Sequence, residues 1–274
     1  MLPLRKLPER QTSGLAREWL DSISSELANP DTDRALLCRR TLCDIAYPDY
    51  AANWDTAIED RSLSMATRLA LSALDSRNVT LEPEYYAECD DARFQRVKPL
   101  LWLWYSFDRT ALGGQNVWLG VELRRILAPH IFKRCGRNFK AFHNVEFSFG
   151  YNMEVGDDVV VHRHVLLDDR GGIILGNRVS VSDYANIYSH THSILDQKDV
   201  TDAVTRLDDG VRITYHATVL AGVHIGEEAM VGAVAVATKD VRPYHVNVGI
   251  PAKSVRVKPN APAAPESLTT VKKR

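Results

Sequence analysis

Hydrophobic and polar positions follow two different patterns along this chain. Up to about residue 130, apolar residues recur every three or four positions, the spacing of amphipathic helices. The first such segment carries Leu15, Trp19, Ile23 and Leu27, spaced by four, with Ser13 as a candidate N-cap. The first part of the chain is therefore predicted to be helical.

Further segments of this part also predict helices. One begins after Asp31 or Asp33, either of which can cap it, and ends near Tyr47-Pro48. The spans 63–74 and 117–131 are apolar at helical spacing. No catalytic constellation is evident in this half. Its clustered aromatic residues are expected in a core or an interface: Tyr85, Tyr86, Trp102, Trp104 and Tyr105.

From about residue 135 the pattern changes to a repeat of six residues. Counting in sixes from Val155, with a skip of two residues after Leu167 and of a loop after Ile187, gives twelve positions, and all of them are aliphatic. They are Val155, Val161, Leu167, Leu175, Val181, Ile187, Leu207, Ile213, Val219, Ile225, Val231 and Ala237. The residues four places after them are all small or β-branched: Val159, Val165, Gly171, Val179, Ala185, Thr191, Val211, Ala217, Val223, Ala229, Ala235 and Val241.

This repeat has a specific structural meaning. Alternate residues of a strand share a face, so the fifth residue of one hexad and the first residue of the next both point inward. A Gly or Asp directly after the first position, as at Gly156, suits a turn at a corner. Three hexads then make one triangular coil, and stacked coils bury a continuous aliphatic column.

The predicted fold is α+β, with three successive parts. Residues 1–134 form an all-α N-terminal domain, and residues 135–257 form a parallel β-helix of hexapeptide repeats. Residues 258–274 form a Pro/Ala-rich tail that we expect to be disordered.

Composition and charge exclude several classes of function. Lys plus Arg number 34 and Asp plus Glu number 35, so the chain has no basic field that would favour nucleic acid or an anionic membrane. The longest apolar run, 99–107, is far shorter than the roughly 20 residues of a membrane helix. Residues 1–8 lack the apolar core of a secretory signal. The four cysteines are widely spaced with no CxxC pair, so free thiols and a reduced, cytoplasmic setting are expected.

Three stretches of the repeat region carry a family resemblance. They are Ile-Tyr-Ser-His-Thr-His-Ser-Ile at 187–194, Val-Leu-Ala-Gly-Val-His-Ile-Gly at 219–226, and the segment 231–256 that ends in Gly-Ile-Pro-Ala-Lys-Ser-Val-Arg. Together they resemble the hexapeptide-repeat acyltransferases, above all the maltose, galactoside and nodulation sugar O-acetyltransferases. The resemblance covers about 135–257. It implies a left-handed β-helix, a homotrimer with sites between subunits, and acetyl-CoA-dependent O-acyl transfer to a sugar or other hydroxyl acceptor.

The resemblance also implies a catalytic residue. His192 matches the family's catalytic histidine, and its place in the hexad should point it outward from a flat face of the helix. Histidine is suited to this role because it exchanges a proton near neutral pH. His190, nearer a corner, is the second catalytic candidate; it could instead orient or crowd the site.

Further residues are implied on the acceptor and donor sides. His162 and His164 stand where sugar-acetylating relatives carry asparagine in the acceptor pocket, and this departure leaves the acceptor open. Asp169 either lines that pocket or serves as a turn residue. A backbone N–H near Tyr215 would stabilise the oxyanion. By resemblance, the acyl-CoA contacts are Tyr215, Ala233, Thr238, Lys239, Lys253 and Arg256, with the cations facing phosphates.

Several features depart from the family pattern. Ser193 stands where the family often has proline, and the N-terminal helical part is much longer than in the maltose-type enzymes. The loop 193–206 has no assigned role. No permanently bound cofactor and no metal are expected; acetyl-CoA or another acyl-CoA would act as co-substrate.

Two other functions fit the same fold. Six of the nine histidines fall between residues 162 and 224, so a metalloenzyme like the γ-type carbonic anhydrases is one alternative. The histidine spacing and the coenzyme A-like ending speak against it. A β-helix that serves only as an assembly module, with the helical domain as the working part, is the other.

Overall fold

A computed structural model describes residues 14–196 and 198–262. The predictions for Ser13 as a cap, for the first eight residues and for most of the tail lie outside these residues. From residue 14 to the first strand, the described chain contains seven α-helices. They are α1 Gly14–Ala28, α2 Arg34–Ala46, α3 Trp54–Glu59, α4 Met65–Ser72, α5 Pro83–Glu88, α6 Asp91–Asp108 and α7 Val117–Ile131.

The predicted helices are present, with one difference in the first. The Asp33 carboxylate caps α2 by accepting hydrogen bonds from two backbone N–H groups. In α1 the buried residues are Leu20, Ile23 and Leu27, whereas Leu15 is 73% exposed. A spacing of four drifts by about 40° per step on a helix of 3.6 residues per turn, so Leu15 lies about 120° away from Leu27.

The longest helix, α6, was not among the predicted elements. Its residues Leu100, Leu103, Trp104 and Phe107 are fully buried. Other α6 residues are buried as well, among them Phe94, which lies on the side of the helix opposite Leu103. A helix that is covered on most sides shows little amphipathic period, and the pattern therefore did not reveal it.

The rest of the described chain is a β-solenoid. Its strands are β1 Arg134–Cys135, β2 Lys140–Ala141, β3 Glu146–Phe147, β4 Met153–Val155, β5 Val160–Val161, β6 Leu166–Asp168, β7 Ile173–Leu175, β8 Ser180–Val181, β9 Asn186–Tyr188, β10 His190–His192, β11 Val200–Asp202, β12 Thr205–Leu207, β13 Arg212–Ile213, β14 Thr218–Val219, β15 His224–Ile225, β16 Met230–Val231, β17 Val236–Ala237, β18 His245–Val248 and β19 Lys253–Val257.

Three parallel sheets form the walls of the solenoid. The first sheet has the order β1-β4-β7-β12-β15, and the third has the order β17-β14-β9-β6-β3. The second contains β2, β5, β8, β13 and β16, followed by β18 and then by β19, which runs antiparallel. Five coils thus contribute one strand to each sheet, and a closing turn adds β18. This confirms the predicted α+β fold, and the solenoid is consistent with a left-handed β-helix.

One corner of the solenoid differs from the other two. Arg134 pairs with Glu154 and Glu154 with Ile174, so the first two coils take 20 residues each. Arg206 pairs with His224, which gives a coil of 18. The longer coils have their extra residues at the corner between the third and first sheets, and there the antiparallel pair β10–β11 is inserted into the third coil. We call this the hairpin corner, residues 148–152, 169–172 and 189–204.

The predicted aliphatic column is the core of the solenoid. All twelve first positions of the hexads are at most 1% exposed. Of the twelve positions four residues later, Gly171 is half-buried and Thr191 is exposed, and the others are buried. Both exceptions lie at the hairpin corner, where the chain leaves the six-residue repeat.

Helices α1, α2, α6 and α7 share one hydrophobic core with the solenoid, whereas Trp54, Ala57 and Leu71 of α3 and α4 form a second, smaller cluster with Cys43. The indole N–H of Trp104 donates to the carbonyl of Val145 at 3.1 Å. A buried ion pair joins Asp108 of α6 to Arg124 of α7. Arg124 also donates to the carbonyl of Ala141 at 3.1 Å, and Asp108 accepts from the N–H of Asn144 at 2.7 Å. The helical region therefore caps the first coil.

The four cysteines, all among the described residues, are unpaired, two of them buried and two partly buried. No helix within residues 14–196 and 198–262 combines the length and apolarity needed to cross a membrane.

Candidate active site

Polar side chains stack at the hairpin corner on successive coils. Asp168, at the end of β6, is 2% exposed. Its carboxylate accepts a hydrogen bond from the hydroxyl of Ser148 one coil before. Its backbone carbonyl accepts another from the hydroxyl of Ser189 one coil after, at 2.6 Å. The corner thus holds a buried carboxylate in a fixed position.

The two catalytic candidates lie on the hairpin at this corner. In the β10–β11 pair, His190 faces Asp202 and His192 faces Val200. Residues two apart on a strand share a face, and the two imidazole rings are 5.2 Å apart. The hexad position predicted that His192 would lie on a flat wall of the solenoid. It lies on the hairpin instead, because the chain leaves the repeat at Ser189.

His190 is held through both ring nitrogens. Its Nδ1 contacts the carboxylate of Asp168, and its Nε2 contacts the guanidinium of Arg170. A guanidinium can only donate, so Nε2 accepts and Nδ1–H donates to Asp168. The side chain is 11% exposed. Of the two roles considered for His190, these contacts favour an orienting residue over a proton acceptor.

His192 has a different environment. Its side chain is 30% exposed, and its Nε2 lies 3.4 Å from Oε1 of Glu84 on α5. Glu84 also accepts a hydrogen bond from Arg170, which lowers the pKa of Glu84 below its usual range. Glu84 was not predicted as a site residue. It comes from a short helix in the other half of the chain, and nothing in the local sequence signals this contact.

Arg170 organises the cluster. Its side chain is 5% exposed and contacts the carboxylates of Glu84, Glu88 and Asp168. Its guanidinium also lies 5.3 Å from the ring of Tyr85. One buried cation therefore ties α5 to the coil that carries Asp168 and to the hairpin histidine His190.

The same cluster contains a group of side chains with metal-ligand chemistry. Ligand atoms of Glu84, His190 and His192 lie within 4.8 Å of one another. However, the guanidinium of Arg170 contacts Nε2 of His190, the nitrogen that would face a shared ion. A fixed positive charge at this place repels a cation.

Asp169 builds a turn. It is fully buried, and its carboxylate accepts hydrogen bonds from the backbone N–H groups of Phe149, Gly150 and Asn152 at 2.8–3.1 Å. Burial raises the pKa of Asp169 to about 6, although these hydrogen bonds act in the opposite direction. Of the two roles left open by the sequence, the geometry favours the turn residue.

The predicted acceptor histidines lie elsewhere, at the corner between the second and third sheets. His162 stacks on Phe142 with ring centroids 5.0 Å apart. His164 stacks on Tyr184 at 4.7 Å, and the stack continues to His216 at 4.8 Å. We call this the aromatic corner. Within one chain, His162 and His164 are thus not brought together with His192.

The predicted donor residues are exposed and occupy three places. Tyr215 and Ala233 lie on successive coils at the aromatic corner, where the N–H of Val234 donates to the carbonyl of Tyr215 at 2.9 Å. Thr238 and Lys239 follow β17, on the edge of the solenoid between the third and first sheets. Lys253 and Arg256 lie on β19 at the end of the second sheet.

The architecture and the buried hexads define a hexapeptide-repeat β-helix protein, and comparison with known proteins agrees. No protein-family model matches the chain. The galactoside O-acetyltransferase of Escherichia coli (strain K12) is 25% identical over 140 residues, 50% of this chain and 69% of that protein. A Schizosaccharomyces pombe protein provisionally named an acetyltransferase is 33% identical over 115 residues, 40% of this chain and 55% of that protein.

Solved structures show the same fold. A maltose O-acetyltransferase from Clostridium difficile 630 aligns with a TM-score of 0.54 at 22% identity, over 65% of this chain and 89% of that one. A hexapeptide-repeat acetyltransferase from Vibrio cholerae O1 biovar eltor, complexed with acetyl coenzyme A, aligns with a TM-score of 0.52 at 22% identity, over 61% and 87%. The predicted resemblance to hexapeptide-repeat acyltransferases is confirmed, and the protein is an acyltransferase.

Proposed function

We propose that the protein transfers an acyl group, in the first place acetyl, from acyl-CoA to a hydroxyl group of a sugar or another small acceptor, with His192 as general base. The observation that carries this proposal is the contrast between the two hairpin histidines. His190 is held through both nitrogens, whereas His192 is partly exposed beside a carboxylate. The names of the sequence relatives supply the reaction class, and the complex of the Vibrio cholerae neighbour suggests the donor.

The reaction is a direct transfer. His192 takes the proton of the acceptor hydroxyl, and the oxygen attacks the thioester carbonyl carbon. The backbone N–H near Tyr215 would stabilise the resulting oxyanion. The carbon–sulfur bond then breaks, the acyl group stays on the acceptor oxygen, and the thiolate of coenzyme A takes the proton from the imidazolium.

The distribution of the residues favours a site shared between copies of the chain. Tyr215 and Ala233 lie at the aromatic corner, and His192 lies at the hairpin corner. One acyl-CoA would reach both if the aromatic corner of one copy faced the hairpin corner of the next. We therefore propose a closed ring of three copies, the symmetry that the family resemblance implies.

Two measurements test the proposal. A ligand that binds only the folded protein raises the unfolding temperature, so millimolar acetyl-CoA should raise it clearly. Thiol release from acetyl-CoA is then measured with maltose and with a methyl galactoside as acceptors. We expect His192→Ala to lower kcat by about 10²–10⁴-fold. The matched control is His224→Ala, an exposed histidine paired with Asp208, which should transfer like the parent. Equal transfer by His192→Ala and the parent would overturn the assignment.

A metal-dependent reaction is the competing possibility, and the cluster of Glu84, His190 and His192 is the observation that favours it. Metal analysis of the purified protein decides between the two. About one zinc per chain, with activity lost on chelation, would support the metalloenzyme. Transfer that persists in the presence of a chelator would support the acyl-CoA mechanism.

A further inference from the structure

The helical region contributes a carboxylate to the hairpin corner. Glu84 lies in the first turn of α5, more than 80 residues before the solenoid residues that it contacts. Its Oε1 is 3.4 Å from Nε2 of His192 and also contacts Nη1 of Arg170. The side chain remains 39% exposed, so the carboxylate borders both the imidazole and solvent.

Several independent contacts fix the helix that carries Glu84. Glu88, one turn later, lies 3.3 Å from Arg170. The ring of Tyr85 contacts the guanidinium of Arg170 and forms a T-shaped pair with Phe149, at 5.8 Å between ring centroids. Just after the helix, the N–H of Asp90 donates to the hydroxyl of Tyr151 at 2.9 Å. The position of Glu84 beside His192 is therefore the result of a built contact between α5 and the solenoid.

We propose that Glu84 is a positioning residue for His192, and hence that the helical region completes the active site. This inference rests on the proposed function. A carboxylate beside an imidazole orients the ring and stabilises the positive charge that develops when the imidazole takes a proton. The N-terminal part would then act in the reaction itself, in addition to capping the first coil.

The surrounding charges are compatible with this role. The groups that face the Glu84 carboxylate are Arg170 and His192, with His190, Glu88 and Asp168 beyond them. Arg170 keeps Glu84 ionised near neutral pH, because its hydrogen bond favours the charged form. Arg170 is shared with Asp168 and Glu88, so the cluster holds more carboxylates than guanidinium groups. Positive charge that develops on His192 during proton transfer would therefore have net negative charge beside it.

The experiment compares Glu84→Gln with two matched controls. Glu88→Gln removes a carboxylate that contacts Arg170 through the same helix but neither histidine. Glu82→Gln removes an exposed charge at the N-cap of α5. The first readout needs no acceptor: the pH dependence of His192 modification by diethyl pyrocarbonate, measured by mass spectrometry. This reagent reacts with the neutral imidazole.

We expect the modification midpoint of Glu84→Gln to move to lower pH, since the negative charge beside His192 is lost. Both control variants should keep the midpoint of the parent. In the transfer assay, Glu84→Gln should lower kcat by about 10-fold or more and leave the KM for acetyl-CoA within about twofold. The acidic limb of its pH–rate profile should move in the same direction.

Two results would overturn the inference. One is an unchanged modification midpoint in Glu84→Gln. The other is an equal shift in Glu84→Gln and Glu88→Gln, which would mean that both residues act only by holding α5. Failure of the proposed function would give a different result. The parent would transfer no acyl group, or His192→Ala would transfer as fast as the parent, and neither result depends on the modification midpoints.

Discussion

Asp168 and His190 are 22 residues apart in the chain and in direct contact at the hairpin corner, where the aspartate carboxylate meets Nδ1 of the imidazole. Arg170 occupies the other ring nitrogen. The pair therefore fixes one tautomer of His190 and one orientation of its ring. His192, on the same face of the hairpin, has the more exposed imidazole.

This relationship predicts different effects of the two histidines. His190→Gln should lower kcat by less than about 10-fold, because the ring orients neighbours and does not exchange the proton, while the unfolding temperature falls. His192→Gln should lower kcat by about 10²-fold or more with little change in unfolding temperature. Thiol-release kinetics and thermal unfolding of both variants check this. The reverse order of the two kcat values would contradict the assignment of the base.

Removal of Arg170 should loosen α5. Arg170→Met leaves the buried Asp168 and the two glutamates of α5 without their shared cation, so the free energy of unfolding should fall by about 3–5 kcal/mol. The control is Arg163→Met, since the exposed pair of Arg163 with Asp183 should contribute less than about 1 kcal/mol. Urea denaturation measures both. Equal losses in the two variants would show that Arg170 is not the organising group.

The ion pair of Asp108 and Arg124 offers a test of how the helices cap the solenoid. Each side chain is at most 2% exposed, so Asp108→Asn leaves a buried guanidinium without its charge partner and should cost about 3–5 kcal/mol. The double variant Asp108→Leu with Arg124→Met removes both charges and should cost less than the single change. Urea denaturation of the set gives the answer. A double variant as unstable as the sum of the single variants Asp108→Leu and Arg124→Met would contradict strong coupling of the pair.

Asp169 should make stability depend on pH. Its pKa rises from 3.8 to about 6 on folding, so the folded protein binds this proton more tightly than the unfolded chain. The resulting stabilisation is complete below about pH 4 and is lost as the pH rises through 6. The destabilisation caused by Asp169→Asn should therefore be largest near pH 4 and smaller at pH 7. Urea denaturation of both proteins across this range checks the difference, and a constant difference would contradict the raised pKa.

The donor side predicts a separate effect on binding. Lys239→Ala and Arg256→Ala should each raise the KM for acetyl-CoA, by about 5–10-fold, with kcat nearly unchanged, because a cation facing a phosphate contributes to binding of both ground and transition states. The increase should shrink in high salt. Arg137→Ala, at the first coil and paired with Asp157, serves as control. If all three variants had the same KM as the parent, the coenzyme A contacts would lie elsewhere.

Much of the fold could be predicted from the sequence because its core is periodic. In the coils that contain Val155, Val181 and Val219, each short strand points two side chains inward. These inward positions can be predicted from the spacing of aliphatic residues along the chain. The helix α7 was predicted as well, since its buried residues lie on one side of the helix. The helix α6 was not, because its neighbours cover it on most sides.

The candidate site also has one part that could be predicted from the sequence and one part that could not. Three features follow from the amino-acid order alone: the inward aliphatic column, the place where the six-residue repeat breaks, and the presence of His190 and His192 at that break. The other features became visible in the folded chain: Asp168 and Arg170 hold His190, Asp169 forms a turn, and Glu84 lies beside His192. Repeat periodicity depends on neighbours a few residues apart, whereas these contacts join side chains from separate coils and from a helix, whose packing no local pattern encodes.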